Sequence, residues 1–356
     1  MKNICFLIGN MDSTGGTERV TSLIANQFIE SNRVFILSLS EGKNPAFNLN
    51  SKIHVDSLFN HKVSMKKNFL SCILRIRKYI QDNKIDTLIV VDSISCVFTV
   101  PALIGLNVNH ICWEHFNFKV NLGVKFRDLG RKLAARYCDY IVTLTERDRE
   151  LWIDGLKNVK AKIIAIPNPT PFESINHTPN LDFKTVLSVG RLTYQKGFDL
   201  LLDAWALVCK QNSDWTLKIV GGGEDEQTLK NQAKELGIEN RVIFVPPTKN
   251  IAEHYKTASF YCMSSRFEGL PMVLLEAQSY GLPIVSFDCD TGPAEVIENG
   301  KNGFLIQSFK IEDMSEMLLD LVNFDIYNYN NLVINSKVNI IKFDLIKIEE
   351  KWKICL

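Results

Sequence analysis

Short apolar runs alternate with longer amphipathic stretches along most of this chain, and that rhythm constrains the fold more than any single residue does. Residues 4–8 and 34–39 are apolar runs with a helix-compatible segment, 18–30, between them, which together read as one βαβ unit. Further buried-strand candidates stand at 88–91, 111–113 and 140–144. A second series has strands over 185–189, 216–220 and 242–245, with helices over 198–210 and 224–236. Strands over 259–262 and 283–287 continue it. Apolar runs of this length suit strands buried on both faces, and their alternation with helices argues for parallel, doubly wound sheets. Residues 167–179, PNPTPFESINHTP, are rich in Pro, Asn, Ser and Thr and read as a linker. The expected fold class is α/β, with two doubly wound, Rossmann-like domains facing across a cleft. Ligand would sit there, at the carboxyl ends of the strands. The expected boundaries are 1–170, 171–335 and a terminal helical segment over 336–356.

Composition fits a globular chain of 356 residues, 46% hydrophobic and 23% charged, long enough for two domains. The net charge of +1 hides an uneven split: residues 1–170 carry +8 and the remainder −7. Only the first domain is therefore expected to meet an anionic partner. The nine cysteines are scattered, odd in number and form no C-x-x-C pair, so buried thiols are expected and a metal site is not. The apolar run at 4–8 is too short for a signal-peptide core. The segment 94–106 is interrupted by Pro101 and too short for a membrane span. A cytoplasmic protein is expected.

The stretch 266–281, RFEGLPMVLLEAQSYG, carries the chemistry. Glu268 and Glu276 stand at E-x7-E spacing around a loop-to-helix junction. Pro271 suits the first helical position, where its missing N–H costs nothing. The amides of Met272 and Val273 then face outward at a helix N-terminus, a natural seat for phosphate. One carboxylate precedes that seat, after which come Gly269 and Leu270, and the other lies two turns into the helix. Two glutamates on a helix are most often a solvated face, but Gly-Leu-Pro and the apolar run between them favour a binding role.

This stretch closely resembles the donor-site signature of the retaining GT-B glycosyltransferases of the group 1 or family 4 type, which build bacterial surface polysaccharides. The resemblance spans nearly the whole chain and is most specific from about residue 187 to residue 305. It implies that Glu268 bonds sugar hydroxyls, that Glu276 holds the ribose hydroxyls, and that the intervening amides bind the distal phosphate. It also implies that the last helix, drawn from 340–355, crosses back onto the first domain.

Other motifs fall into the same frame. Arg191 and Lys196, in VGRLTYQKGFD after the strand Thr185–Val189, can converge on one diphosphate, Arg as a fork and Lys as a point charge. They match the family's G-R-L-x-x-x-K-G and would stabilise charge on the leaving nucleotide diphosphate. Gly15 and Gly16 lie in a polar loop over 12–17, where glycines let backbone amides approach an anion. Followed by Thr17, Glu18 and Arg19, they match the family's N-terminal glycine loop over the diphosphate and sugar. No full G-x-G-x-x-G is present, which counts against a dinucleotide cofactor. His115 follows Trp113 and Glu114. A lone histidine is more often structural, yet the family has one here, contacting the donor sugar near the reacting carbon.

Gly221, Gly222 and Gly223 match a family turn near the nucleotide. After the strand Val242–Val245 the family has glycine, whereas this chain has Pro246, Pro247 and Thr248. Proline removes donor N–H groups, so base recognition falls to the Thr248 backbone. Residues 288–295, DCDTGPAE, resemble a pattern that supports the E-x7-E loop. Basic stretches at 62–79 and 125–136, interleaved with apolar residues, raise the prospect of binding an anionic membrane surface.

The resemblance thus implies a glycosyltransferase using a nucleotide-diphosphate sugar, most readily a UDP-sugar, with retention. No cofactor, metal or nucleic acid is expected, since Arg191, Lys196 and helix amides stand where a metal could. The acceptor is expected to be a lipid-linked or membrane-bound glycan, with the protein peripheral on the inner face of the cytoplasmic membrane. A non-hydrolysing UDP-sugar epimerase shares the architecture but needs acid/base carboxylates and histidines in the first domain that this chain does not offer. A silent sugar-nucleotide-binding subunit is the third reading, opposed by the intact Arg191, Lys196, Glu268 and Glu276.

Overall fold

The computed structural model describes residues 1–172, 175–212 and 214–356. The chain divides into two compact units, residues 1–171 with 345–356, and residues 172–344. Glu173 and Ser174, within the expected linker, lie outside the described residues; the rest of 167–179 forms neither helix nor strand.

The first unit begins with β1 (Asn3–Ile8), α1 (Gly16–Phe28), β2 (Arg33–Ser38) and β3 (His54–Ser57). It continues with α2 (Phe69–Asp82), β4 (Thr87–Val91), α3 (Cys96–Leu103), β5 (Asn109–Trp113) and α4 (Lys125–Tyr137). Then come β6 (Tyr140–Thr143), α5 (Glu146–Gly155) and β7 (Lys162–Ala165). The seven strands are parallel in the order β3-β2-β1-β4-β5-β6-β7. β1, β4 and β5 are buried almost throughout, as strands in the middle of a parallel sheet are. The apolar segment around residue 100 is α3, a short helix that contains Pro101.

The second unit runs β8 (Thr185–Val189), α6 (Phe198–Cys209), β9 (Thr216–Val220), α7 (Glu226–Glu235), β10 (Val242–Val245) and α8 (Ile251–Lys256). It continues with β11 (Phe260–Met263), α9 (Met272–Ser279), β12 (Ile284–Asp288), α10 (Pro293–Val296) and β13 (Gly303–Gln307). α11 (Ile311–Val322) and α12 (Ile326–Asn339) complete it. Its six strands are parallel in the order β10-β9-β8-β11-β12-β13. Trp205, Phe260 and Phe287 anchor its core, closed by Leu318 and Tyr329 from α11 and α12.

α13 (Leu345–Trp352) belongs to the first unit, whereas α12 lies wholly in the second. The segment 336–356 is therefore split between the units, with residues 345–356 on the first. Trp352 is fully buried there, edge-on to Phe28 at 6.0 Å and to Trp113 at 5.0 Å.

Both sheets are doubly wound. From β1 the chain passes outward to β2 and β3, then returns to β4 on the other side; β8 and β11 repeat this reversal. Loops at the carboxyl ends of such a strand pair splay apart and leave a crevice, where these folds hold ligands.

Candidate active site

In the second unit the loops after β8 and β11 flank the reversal point, and they carry the predicted cations and carboxylates. Glycine lets them touch. Gly197 has φ +64, and a Cβ there would stand 2.2 Å from the Ser264 carbonyl oxygen. Gly221, at φ +155, leaves no room either: a Cβ would come within 1.8 Å of the Gly190 oxygen. The triple glycine thus lets the loop after β9 press beneath the Arg191 loop, joined by Leu192 N–H to the Gly222 carbonyl (3.0 Å) and Asp225 N–H to the Leu192 carbonyl (3.0 Å). Further bonds stitch the β8 and β11 loops: Arg266 N–H to Gln195 O, Gln195 Nε2 to Phe267 O, and Ser264 Oγ to Lys196 O.

Lys196 is the centre of this arrangement. Its aliphatic stem lies across Gly190, and Nζ donates to Glu268 Oε1 at 2.6 Å. The same oxygen accepts from Ser265 Oγ at 2.7 Å. The side chains are 17% and 8% exposed, so the pair is shielded from water and strongly coupled. Nζ has three protons, and Glu268 uses one. Arg191 is exposed, and its guanidinium makes no hydrogen bond or ion pair among the described residues. An exposed guanidinium in the same loop as an ammonium with two protons uncommitted can accept a diphosphate.

Helix α9 begins one residue later than the sequence suggests. Pro271 is its N-cap, with φ −71 and ψ 112, rather than its first helical residue. Leu274 N–H bonds the Pro271 carbonyl at 3.1 Å, and among the described residues the Met272 and Val273 amides have no acceptor. The two outward-facing amides therefore survive the shift. Glu276 lies just past the first turn of α9, nearer the seat than two turns. Thr291 Oγ donates to the Glu268 carbonyl at 2.5 Å, so the 288–295 segment does brace the E-x7-E loop.

Two supporting residues escaped the sequence reading. Arg266 forks onto Asp199 (2.8 and 2.5 Å), donates to the Tyr194 carbonyl and covers the Tyr194 ring at 4.1 Å, which clamps both loops together. Tyr255, on α8 and fully buried, donates to Glu276 Oε2 at 2.8 Å and stacks on Tyr280 at 5.2 Å. Nothing near Glu276 in sequence announces it. If the hydroxyl fixes the carboxylate for a ligand, Tyr255→Phe keeps the stack and loses one charge-assisted bond of about 1.5–3 kcal/mol. The expected outcome is a donor KM at least ~10-fold higher with little change in kcat. An unchanged KM in steady-state assays would assign the bond to folding alone.

Thr248 is exposed, and its Oγ accepts from Asn250 N–H at 3.0 Å in the loop after β10.

The remaining predicted residues belong to the first unit, also at the carboxyl ends of strands. Gly15 is the N-cap of α1 and is exposed with Gly16. The Glu18 carboxylate folds back on the Gly15 and Glu18 amides, so this helix end already holds an internal anion. An incoming phosphate at these amides has to displace it.

His115 follows β5. Its ring packs on Trp113 at 4.4 Å, and Nε2 is enclosed with no partner among the described residues. Burial pushes the imidazole down to about 3, so it is neutral near pH 7. Beneath it, Glu114 accepts from Ser93 Oγ (2.5 Å), Arg131 Nε (3.4 Å) and the amides of His115 and Phe116. Asp92, at φ +84, pairs with Arg127 at 2.6 Å. Burial, with Glu114 alongside, pushes Asp92 up to about 7 against the pull of Arg127. These acids and arginines fix the backbone that presents His115.

The basic stretches change meaning in the fold. Arg127 and Arg131 are buried partners of Asp92 and Glu114 rather than surface cations. Arg75 is spent on the Leu58 carbonyl and the Phe59 ring, and Arg77 on the carbonyls of Ala102 and Ile104. Lys62, Lys66, Lys67 and Lys78 remain exposed, near Leu70 and Leu74 at 73% and 66% exposure. No helix among the described residues is long and apolar enough to cross a membrane.

A doubly wound unit that gathers these cations and carboxylates at its strand ends, in a chain with a second doubly wound unit, defines a class, and comparison with known proteins supplies the family. Glycosyl transferases group 1 matches residues 170–337, and Glycosyltransferase Family 4 matches residues 14–173. An uncharacterized glycosyltransferase of Haemophilus influenzae is 40% identical over 354 residues, covering 99% of each chain. A Campylobacter jejuni enzyme is 27% identical over 366 residues, 99% of this chain and 97% of its own. Its name is GalNAc-alpha-(1->4)-GalNAc-alpha-(1->3)-diNAcBac-PP-undecaprenol alpha-1,4-N-acetyl-D-galactosaminyltransferase. Among solved structures, the apo form of the lipopolysaccharide outer core galactosyltransferase WaaB has a TM-score of 0.79 at 24% identity, covering 99% of this chain and 98% of its own.

The chain belongs to the group 1 glycosyltransferases and has their GT-B fold of two Rossmann-like units. It is a glycosyltransferase, which sets aside the epimerase and the silent subunit.

Proposed function

We propose that the protein transfers a sugar, with retention of configuration, from a UDP-sugar to a lipid-linked or membrane-bound glycan during surface-polysaccharide synthesis. The observation that carries the donor reading is the shielded Lys196–Glu268 pair beside the α9 N-terminus, with Arg191 free to join it. In this reading the diphosphate rests on Arg191, Lys196 and the Met272 and Val273 amides. Glu268, Gly269 and Leu270 line the sugar. Glu276 takes the ribose and Thr248 the base; Gly15, Gly16 and His115 are the first unit's own candidate donor contacts. The bond between the anomeric carbon and the phosphate oxygen breaks, and the acceptor hydroxyl bonds the same face. Its proton passes to the departing phosphate oxygen. The cations and amides stabilise the charge left on the nucleotide, the task a metal ion performs in other transferases.

The undecaprenol-linked substrate in the name of the Campylobacter relative supports the acceptor class. The test is incubation with a panel of UDP-sugars and polyprenyl-diphosphate-linked glycans, read by mass spectrometry. One added sugar residue per acceptor is expected; donor hydrolysis without transfer across the panel would reject the acceptor class.

Four exposed lysines around α2, near protruding Leu70 and Leu74, support docking on an anionic bilayer at the inner membrane face. Each such cation is worth about 1 kcal/mol near an anionic surface. Changing Lys62, Lys66, Lys67 and Lys78 together to Gln is expected to abolish most co-sedimentation with anionic vesicles. Equal binding of the wild type to neutral and anionic vesicles would contradict it.

A further inference from the structure

The nine cysteines are far apart in sequence, yet the first unit gathers three of them around one imidazole. Cys96 opens α3, His110 and Cys112 alternate on one face of β5, and Cys138 follows α4 as its C-cap. All four are buried. The ligand atoms of Cys96, His110 and Cys138 lie within 4.8 Å of one another, and Cys112 is buried two residues along β5 from His110.

The imidazole is oriented from behind. Its Nε2 stands 3.0 Å from Thr99 Oγ, and its Nδ1 faces Cys138 Sγ at 3.5 Å. A proton on Nε2, accepted by Thr99, leaves the Nδ1 lone pair aimed at the sulfurs. That is how histidine ligands are held: one nitrogen to the metal, the other to an oxygen. Zinc bonds sulfur at about 2.3 Å and nitrogen at about 2.0–2.1 Å, so a tetrahedral ion separates S and N ligands by about 3.6 Å and two sulfurs by about 3.8 Å. The Cys138–His110 distance already fits. The widest gap among the three atoms needs to close by no more than about 1 Å.

Charge favours the same conclusion. Buried thiolates are costly alone. A doubly charged ion offsets two thiolates beside a neutral imidazole, so that no net charge is buried. Two sulfurs and an imidazole nitrogen suit a soft or borderline ion rather than magnesium or calcium.

We propose that Cys96, His110 and Cys138 hold one zinc ion that ties α3, β5 and α4 together, with Cys112 beside them as the source of a fourth ligand. The site is structural: every ligand is enclosed, leaving no route for a substrate.

The test is zinc content of the full chain purified from zinc-supplemented cells, released by denaturation and read with a chromogenic chelator. About one zinc per chain is expected. Cobalt substituted for it should give thiolate-to-cobalt charge-transfer absorption and the d–d bands of a tetrahedral site. His110→Asn and Cys138→Ser should lose the metal, whereas Cys209→Ser, in the other unit, should keep it. The cobalt spectrum of the wild type keeps the test independent of how those variants fold. Folded, reduced wild type without zinc and without a cobalt–thiolate band overturns the proposal, as does a native Cys96–Cys138 disulfide found by mass spectrometry.

Discussion

Lys196→Ala is expected to lower turnover by at least ~10²-fold, the usual consequence of removing a preorganised group that stabilises developing charge. Two effects add. The ammonium no longer meets the leaving diphosphate, and Glu268 is left as a shielded carboxylate with only Ser265 and solvent to compensate it. The double variant Lys196→Ala, Glu268→Gln separates them. It removes the uncompensated charge and should recover thermal stability, yet it should stay inactive. Arg191→Ala offers a cleaner test because its side chain supports nothing else among the described residues, and a loss of similar size is expected. Near-normal sugar transfer in both single variants would remove the diphosphate grip from the account.

The second large effect concerns the two carboxylates, which should fail in different ways. Glu268→Gln preserves shape and the Ser265 contact but weakens the bond to Lys196 and the grip on sugar hydroxyls. It should mainly lower kcat. Glu276→Ala leaves the Lys196 loop untouched and deletes the acceptor that Tyr255 orients. It should mainly raise donor KM. If both variants lost kcat alone, the division between sugar and ribose ends of the donor would be wrong.

The legibility of the sequence followed burial. Strands buried on both faces, such as β1, β4 and β8, read as apolar runs and stand within a residue of where the pattern puts them. β3, β7 and β13 went unread, and each is an edge strand. The half-wet HVDS carries no continuous apolar signal, and the run in KIIA is short and only half-buried. The candidate site was legible where one local segment supplies ligand groups in order, as in G-R-L-x-x-x-K-G and E-x7-E. It was illegible where support arrives from elsewhere in the chain, as Tyr255 does for Glu276, or where a cation is consumed internally, as Arg127 and Arg131 are. The cysteines repeat the lesson, since spacing finds C-x-x-C pairs but not thiols that three separate elements bring together. The triple glycine read only as a turn, because close approach of two loops is a tertiary fact.

Calorimetric titration of UDP into the wild type and into Glu276→Ala tests the central claim most directly, because it isolates donor recognition from acceptor identity. The account predicts saturable binding by the wild type and at least ~10-fold weaker binding by the variant, about 1.4 kcal/mol. Equal UDP affinity in the two proteins, or no binding of UDP by the wild type, would contradict it.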